Sequence, residues 1–500
     1  MSSFFIRPKT NKNVTSKKEA PQRKLGKRSL KKSKGKVYDS KVKKRKFDRP
    51  KDDEEITSDE DILDEEGQNA AVVESDEDEH LTPQEKKLQL AKKYLEEIEE
   101  EEKKKADGAD IDDGVILGRL REDVLRREGK LKKRVADNII TSYEDSDITV
   151  LKCKEHKLAI TCLAVSSDDK LFTGSKDASI VKWCLSTMRK VGFIPPRHKD
   201  KSNENSHATS ILCMAISHDD RYLAVGDESN LIQIWDPKTL EHVFTFKGHR
   251  GAVTGLSFCR LTHHLYSASH DKTVKVWSMP ERAYIETLFG HQAPISALDV
   301  LAKDRVVTSG GSDTSVRVWK IEEESQLIFN GHKQSIDSIR KLSDVHFISC
   351  GEDGLVCIWG ANKKKPLHRI QNAHGVSPCS DANWIVSVAC IPNTDVFATG
   401  SSDGVVRLWK CDNNYRGATV LGTVPVTGFA NAMVFTHDQK RLVIGVGQEH
   451  RLGRWSRIKS AKNSVLVVRV QKPEEQPESS TRNEVKKLLN GSAETDSDSS

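Results

Sequence analysis

The chain has 500 residues, 36% hydrophobic and 31% charged, with a formal net charge of +6. No run of about 18 apolar residues occurs, which excludes a membrane-spanning helix, and Met1 to Thr10 lacks the apolar segment of a secretory signal. Ten Cys are scattered without a Cys-x-x-Cys pair, which reads as reduced thiols of an intracellular protein, not as a disulfide framework or a metal site.

The small net charge conceals two opposite blocks. Residues 1–49 hold 19 Lys/Arg against 3 Asp/Glu, and residues 50–80 hold one Lys against 15 Asp/Glu. Such blocks bury too little apolar surface to fold alone, so 1–81 is expected to be a disordered tail, and 471–500 likewise. Its basic clusters, Arg23-Lys24, Lys27-Arg28, Lys31-Lys32 and Lys43-Lys44-Arg45-Lys46, fit a nuclear localisation signal or nucleic-acid contact, with a solvated tail as the plain alternative. Ser58 and Ser75 precede acidic runs, and Ser497 lies in Thr495-Asp496-Ser497-Asp498; these fit sites for an acidophilic kinase.

Residues 82–140 read as a helical extension. Thr82-Pro83-Gln84-Glu85 is a capping box with Pro at the first helical position. Leu88, Ala91, Leu95 and Ile98 then form one narrow apolar stripe, which predicts a helix over 82–105. A second helix is predicted from about Val115 to Val135, with Leu117, Leu120, Val124, Leu131 and Val135 on one face; Gly118 and Gly129 weaken it. It carries Arg119, Arg121, Arg126, Arg127, Lys130, Lys132, Lys133 and Arg134 against three acidic residues. Such a helix can meet RNA phosphates or dock on a neighbouring domain with its charges solvated.

Residues 141–470 are repetitive. Trp183, Trp235, Trp277, Trp319, Trp359, Trp409 and Trp455 lie 52, 42, 42, 40, 50 and 46 residues apart. Asp177, Asp271, Asp313, Asp353 and Asp403 each stand six positions before a Trp. Upstream stand His156, His249, His291, His332 and His374, and short alternating runs between them read as four strands per unit. Two units depart: Ser229 and Val225 occupy the Asp and hydroxyl positions before Trp235, and Glu449 and Gly445 those before Trp455. Either Ile148–Lys152 or Val465–Val470 is expected to supply the outermost strand of the last unit. Loops are stretched at Arg197–Ser206 and at His374–Trp384, where function tends to sit on a rigid scaffold.

These phased His, Asp and Trp residues resemble the WD-repeat family, which implies an all-β, seven-bladed β-propeller. The resemblance also implies a hydrogen-bonded tetrad in each regular blade. The sets are His156/Thr173/Asp177/Trp183, His249/Ser267/Asp271/Trp277, His291/Ser309/Asp313/Trp319, His332/Ser349/Asp353/Trp359 and His374/Thr399/Asp403/Trp409. Because the set recurs blade after blade, it is a structural device and not a Ser-His-Asp catalytic triad, and no phosphate-binding loop motif occurs. No enzyme, cofactor, metal or small-molecule substrate is expected.

The flanks narrow the resemblance. Gln84 to Leu95, Gly118 to Leu125, Gly129-Lys130-Leu131 and Val135-Ala136, with His450-Arg451-Leu452-Gly453-Arg454-Trp455, resemble the family of U3 small nucleolar RNA-interacting WD-repeat proteins. That resemblance implies a nucleolar scaffold of the U3 small nucleolar ribonucleoprotein. It would bind the box B/C region of the RNA together with a kink-turn-binding protein and other box C/D proteins, and act with small-subunit processome proteins in pre-rRNA processing. The expected RNA contacts are Arg119, Arg121, Arg126, Arg127, Lys132, Lys133 and Arg134, with Arg250, Lys272 and Lys333 on the rim. Two other classes remain open at this point. One is a histone- or chromatin-binding propeller. The other is a cullin ubiquitin ligase substrate receptor, for which Trp235-Asp236-Pro237-Lys238 lacks the Arg that such receptors often carry.

Overall fold

In the 141–470 region, short runs rich in Val, Ile, Phe and Thr are separated by turns, several of which place an Asp, Asn or Gly, such as Asp169, Asn230 and Gly354, at positive φ. That pattern favours short antiparallel strands over helices. The computed structural model describes residues 92–95, 117–121, 124–125 and 131–472, apart from 198–205, 261, 302–304 and 378–381. The localisation clusters, Ser58, Ser75, Ser497, Arg126 and Arg127 fall outside the described residues.

Among the described residues, strands β1 to β28 form seven four-stranded antiparallel sheets. Blade one contains β2 (Ile160–Val165), β3 (Lys170–Ser175), β4 (Ile180–Cys184) and β5 (Arg189–Ile194), and blade two β6 (Ile211–Ile216), β7 (Leu223–Asp227), β8 (Ile232–Trp235) and β9 (His242–Phe246). Blade three contains β10 (Val253–Phe258) to β13 (Ala283–Phe289), and blade four β14 (Ile295–Val300), β15 (Arg305–Gly310), β16 (Ser315–Lys320) and β17 (Ser325–Asn330). Blade five runs from β18 (Ile336–Lys341) to β21 (His368–Ile370). Blade six comprises β22 (Ile385–Cys390), β23 (Val396–Ser401), β24 (Val405–Cys411) and β25 (Ala418–Pro425). Blade seven takes β26 (Phe429–Phe435), β27 (Arg441–Gly447) and β28 (Ser464–Arg469), and its outermost strand is β1 (Ile148–Lys152), paired antiparallel to β28 from Ile148↔Val468 to Lys152↔Ser464. Of the two segments expected to close the ring, Ile148–Lys152 therefore does so, and Val465–Val470 lies within and just beyond the third strand. A closed ring offers no long edge for another chain to pair with.

The core is a ring of seven apolar clusters, each spanning two adjacent blades. Phe172, Ile180 and Ile194 of blade one meet Ile211, Leu223 and Trp235 of blade two, and Leu151, Ile160 and Trp183 meet Val443, Val465 and Val467 across the closure. Inner strands such as β2 are buried on both faces, whereas β5 is largely exposed. Burying each of these aliphatic side chains contributes roughly 1.5–3 kcal/mol, so every blade is held chiefly by its neighbours.

Polar chains lock the blades internally. In blade three, His249 Nδ1–H donates to Asp271 (2.8 Å), Ser267 Oγ–H donates to His249 Nε2 (2.8 Å), and Trp277 Nε1–H donates to Ser267 Oγ (2.8 Å). His332, Ser349, Asp353 and Trp359 repeat this in blade five, as do His374, Thr399, Asp403 and Trp409 in blade six. In blade one, His156 meets Thr173 at 2.8 Å, and Trp183 donates to Thr173 at 3.2 Å. His156 Nδ1 lies 2.6 Å from Ser179 Oγ and 4.0 Å from Asp177, so Ser179, which donates to Asp177, relays the contact.

Blade four corrects one assignment. His291 and Trp319 both bond Thr308 Oγ1 at 2.8 Å, and Ser309 instead donates to the Ala297 carbonyl. The β15–β16 hairpin is one residue longer than its counterparts: Trp319 pairs with Val306, thirteen positions back, whereas Trp277 pairs with Leu265, twelve back. Because strand side chains alternate faces, one inserted residue moves the hydroxyl position from Ser309 to Thr308.

Blade two keeps half of the device. His207 bonds Asp227 (3.0 Å), which caps the turn through Ser229, but Val225 fills the hydroxyl position. His207 Nε2 and Trp235 Nε1 consequently lack a hydrogen-bond partner among the described residues.

The expected second helix is interrupted. Residues 117–121 and 124–125 are helical, but Leu131 to Arg134 are not, Lys133 forming an isolated parallel bridge with Thr394, and Ala136–Asn138 form a single 3-10 turn. Leu131 and Val135 are buried. Docking wins over helical periodicity because Lys133 N–H donates to the Asn393 carbonyl (2.8 Å), and the Val135 and Ala136 amides donate to Asp395 Oδ1 (3.0 and 3.3 Å).

Two stability outcomes follow. Thr308→Val strands both His291 Nε2 and the Trp319 indole, and should lower the stability of the ring by about 2 kcal/mol or more in urea unfolding, with Ser309→Ala costing less than half as much. Val225→Thr supplies the hydroxyl missing between His207 and Trp235, and should raise stability by about 1 kcal/mol.

Candidate functional site

The sheet topology sorts the loops. Second-to-third turns and blade-to-blade connections lie at one end of the ring, here the upper end, and first-to-second and third-to-fourth turns lie at the lower end. The stretched loops 195–210, 371–384 and 448–463 are all at the upper end.

The tetrads reach this surface. The Asp on the His side of the chain, reached through Ser179 in blade one and directly in the others, also accepts from the next backbone amide: Lys157 N–H to Asp177 (2.6 Å), Arg250 to Asp271 (3.0 Å), Gln292 to Asp313 (3.3 Å) and Lys333 to Asp353 (3.0 Å). The buried chain therefore fixes the backbone from which Lys157, Arg250 and Lys333 project, all exposed or half-buried, and Lys272 follows Asp271 in the turn. Burial alone would raise these carboxyls. Hydrogen bonds from His249, Thr273 and the Arg250 amide outweigh it and hold Asp271 well below the usual range, and those from His291 and Ser315 hold Asp313 down to about 2. Sequence reasoning misses Lys157 because its repeat lacks the Gly before the His.

The expected cationic positions divide between the two ends of the ring. Arg250, Lys272 and Lys333 are at the upper end. Lys132 and Lys133 lie at the lower end, against the turns that follow β22 and β24. Lys132 is committed to the fold: its Nζ donates to the Asp412 carbonyl (2.7 Å) and sits 4.1 Å from the Tyr415 ring centre, and burial lowers its pKa. Lys133, Arg134 and Arg121 are exposed, and Arg119 is half-buried.

Trp455 belongs to this surface and not to the repeat. Its spacing suggests a seventh core Trp, but it lies in the β27–β28 loop and is 59% exposed, while the third strand of blade seven is built of valines. Its ring stacks on Trp384 (centroids 5.5 Å, planes 9° apart), and Trp384 stacks on His450 (4.4 Å). Gly453 is required beneath it, since a Cβ there would come within 1.8 Å of the indole. The absent Asp six residues before Trp455, and an eighth Trp out of phase at 384, are the sequence signals that mark it.

The loop is pinned from three directions. Lys176 Nζ of blade one donates to Glu449 (3.2 Å) and to the His450 (2.6 Å) and Gly453 (3.2 Å) carbonyls. Asn431 Nδ2 donates to the Glu449 carbonyl (2.9 Å). The Arg451 guanidinium enters the central channel, a cavity of about 60 Å³ also lined by Arg340, and donates to the Asp337 carbonyl. Asp337 itself accepts from the Trp384 indole. Burial raises Asp337 to about 6 against the pull of Arg451, and burial with Arg451 and Lys176 lowers His450 to about 3. His450 is thus a neutral ring at physiological pH.

The model of the WD domain, G-beta repeat, matches residues 147–184, 201–236, 240–278, 282–320, 323–360 and 366–410. The chain is 53% identical over 392 residues to the Homo sapiens protein named U3 small nucleolar RNA-interacting protein 2, covering 77% of this chain and 82% of that protein. It is 26% identical over 561 residues to Ribosomal RNA-processing protein 9 of Saccharomyces cerevisiae, covering 87% and 96%. Among solved structures, that of the RRP9 WD40 repeats superposes with a TM-score of 0.64 at 47% identity, covering 67% of this chain and all of the other.

Burial lowers the imidazoles of His156 and His346 to about 4, and that of His450 to about 3. The unfolded chain then binds more protons than the native one between pH 6.5 and 4, so stability falls as pH drops through that window. Asp337 acts oppositely: raised in the native state, it takes up a proton there first and favours folding as pH falls from 6 toward 4. Asp337→Asn should therefore steepen the acid loss of thermal stability below pH 6 relative to the unaltered chain.

Proposed function

The chain belongs to the family of U3 small nucleolar RNA-interacting WD-repeat proteins, and from that premise we propose that it is a non-enzymatic, RNA-binding scaffold of the U3 small nucleolar ribonucleoprotein, acting in nucleolar pre-rRNA processing. The observation that carries this reading is the 53% identity to a protein named for U3 RNA interaction, across 77% of the chain. That share exceeds what the blades span, so the likeness extends into the flanking segments. The name of the yeast relative, a ribosomal RNA-processing protein, supports the same pathway.

On this reading the box B/C region of the RNA is bound together with a kink-turn-binding protein, alongside other box C/D and small-subunit processome proteins. Lys and Arg groups at both ends of the ring neutralise phosphates and release counterions. The rigid upper surface selects RNA by shape and by unstacked bases. The tetrads take no chemical part: each His has its nitrogens committed to the Asp side and the hydroxyl, and the same arrangement recurs in blades one, three, four, five and six.

Crosslinking in cells followed by sequencing of the attached RNA should return U3 small nucleolar RNA above all other transcripts; reads spread over messenger RNAs or bound at chromatin would refute the assignment. Reversing Arg119, Arg121, Lys133 and Arg134 to Glu should weaken binding to the box B/C transcript in filter assays. It should also make log Kd less dependent on log salt, by about 0.7–0.9 for each phosphate no longer neutralised.

A further inference from the structure

A large aromatic ring left in water forfeits the roughly 1.5–3 kcal/mol that burial would return. Trp455 is the one indole among the described residues that is mostly exposed. It is also held still. Trp384 lies behind it nearly parallel, His450 packs against both rings at 4.4 and 5.0 Å, and Gly453 leaves no Cβ in the way. Two hydrogen bonds from Lys176 to the His450 and Gly453 carbonyls, one from Asn431 to the Glu449 carbonyl and the insertion of Arg451 into the channel fix the loop backbone before Trp455. With these groups in place the residue is still 59% exposed. The side chain is ordered before any ligand arrives, so a ligand that stacks on it meets little entropic cost.

The surroundings select the ligand. The same end of the ring carries the exposed cations Lys157, Arg250, Lys272, Lys333 and Arg454 against the exposed carboxylates Glu228 and Glu352, and Glu449 of the loop is already bonded to Lys176 and Arg454. The channel into which the loop reaches is occupied by the Arg451 guanidinium, with Arg340 also in its wall. A flat aromatic face on an end of the ring where exposed cations outnumber exposed carboxylates suits one unpaired base with its phosphates on the basic positions.

We propose that Trp455, backed by Trp384 and His450, is a stacking platform for a single unpaired nucleobase of the bound RNA. This rests on the RNA-binding reading above, and names the part of that ligand the upper surface takes. Stacking neutralises no phosphate, so it contributes affinity without salt dependence, unlike the cationic positions.

The test uses the full chain, the kink-turn-binding protein and a box B/C transcript. Trp455→Ala should weaken RNA binding by roughly 5- to 100-fold, with the salt slope and melting temperature unchanged. Trp455→Phe, which keeps a π-face, should restore most of the affinity and abolish the quenching of indole fluorescence that RNA causes in the unaltered protein. Undiminished RNA affinity in Trp455→Ala would overturn the platform and leave the RNA-binding reading standing. A defect confined to capture of the kink-turn-binding protein, with RNA affinity intact, would overturn it in favour of a protein contact. Failure of the unaltered chain to bind the transcript would instead sink the RNA-binding reading, and the platform with it.

Discussion

The structure depends on one buried hydroxyl per regular blade. In blades three to six, Ser267, Thr308, Ser349 or Thr399 accepts from an indole and donates to an imidazole whose other nitrogen is turned to an Asp. Every polar atom in that chain is committed, so the strands cannot slide by one residue without stranding several donors at once. Apolar packing between blades supplies most of the free energy, but it is non-directional and would tolerate slippage. The polar chain chooses the register, and through the Asp it also sets the backbone that presents Lys157, Arg250 and Lys333. Stability and surface display thus share one carboxylate.

The two blades without a full chain flank blade one, and each compensates differently. Among the described residues, blade two gives His207 Nε2 and the Trp235 indole no hydrogen-bond partner, and it relies on packing of Trp235 with Phe172 and Ile211. Blade seven has Val465, Leu466, Val467 and Val468 in its third strand in place of a core indole, and takes its fourth strand from the segment that precedes blade one. Freed from the tetrad, its second-to-third loop is long enough to carry His450, Arg451 and Trp455 over the channel. Lys176 of blade one holds that loop, so the seam where the ring closes is also where the aromatic surface is built.

The blade architecture is legible in the sequence because His, Asp and Trp recur in phase and each repeat is one hairpin pair. What escapes is whatever breaks the phase. Ser309 and Thr308 are adjacent hydroxyls, and only the extra residue in the β15–β16 hairpin decides between them; counting back from Trp319 gives Ser309, and the strand face gives Thr308. Trp455 sits at a plausible repeat distance, yet spacing alone does not show whether a Trp lies in a strand or a loop. Leu131 and Val135 fit a helical stripe equally well as two anchors of an extended segment, and the deciding acceptors, Asn393 and Asp395, lie some 260 residues away. The pairing of Trp384 with Asp337 has no local signal at all.

On the RNA-binding reading proposed above, the division of charge constrains how RNA can approach. Strands of about six residues make the ring roughly 20 Å tall, with Lys133 at its lower end and Arg250, Lys272, Lys333 and Trp455 at its upper end. A single phosphate run cannot serve both groups unless it climbs the outer face of a blade. There the outermost strands expose Val150, Val191, Tyr284, Ile285 and Val420, with cations only in places, such as Lys152, Arg189 and Arg369. Two separated footholds are therefore the simpler arrangement: a charge-dominated one near the docked N-terminal segment, and one at the upper end where stacking adds to charge. Because the first responds to salt and the second largely does not, the two can be told apart on the same protein.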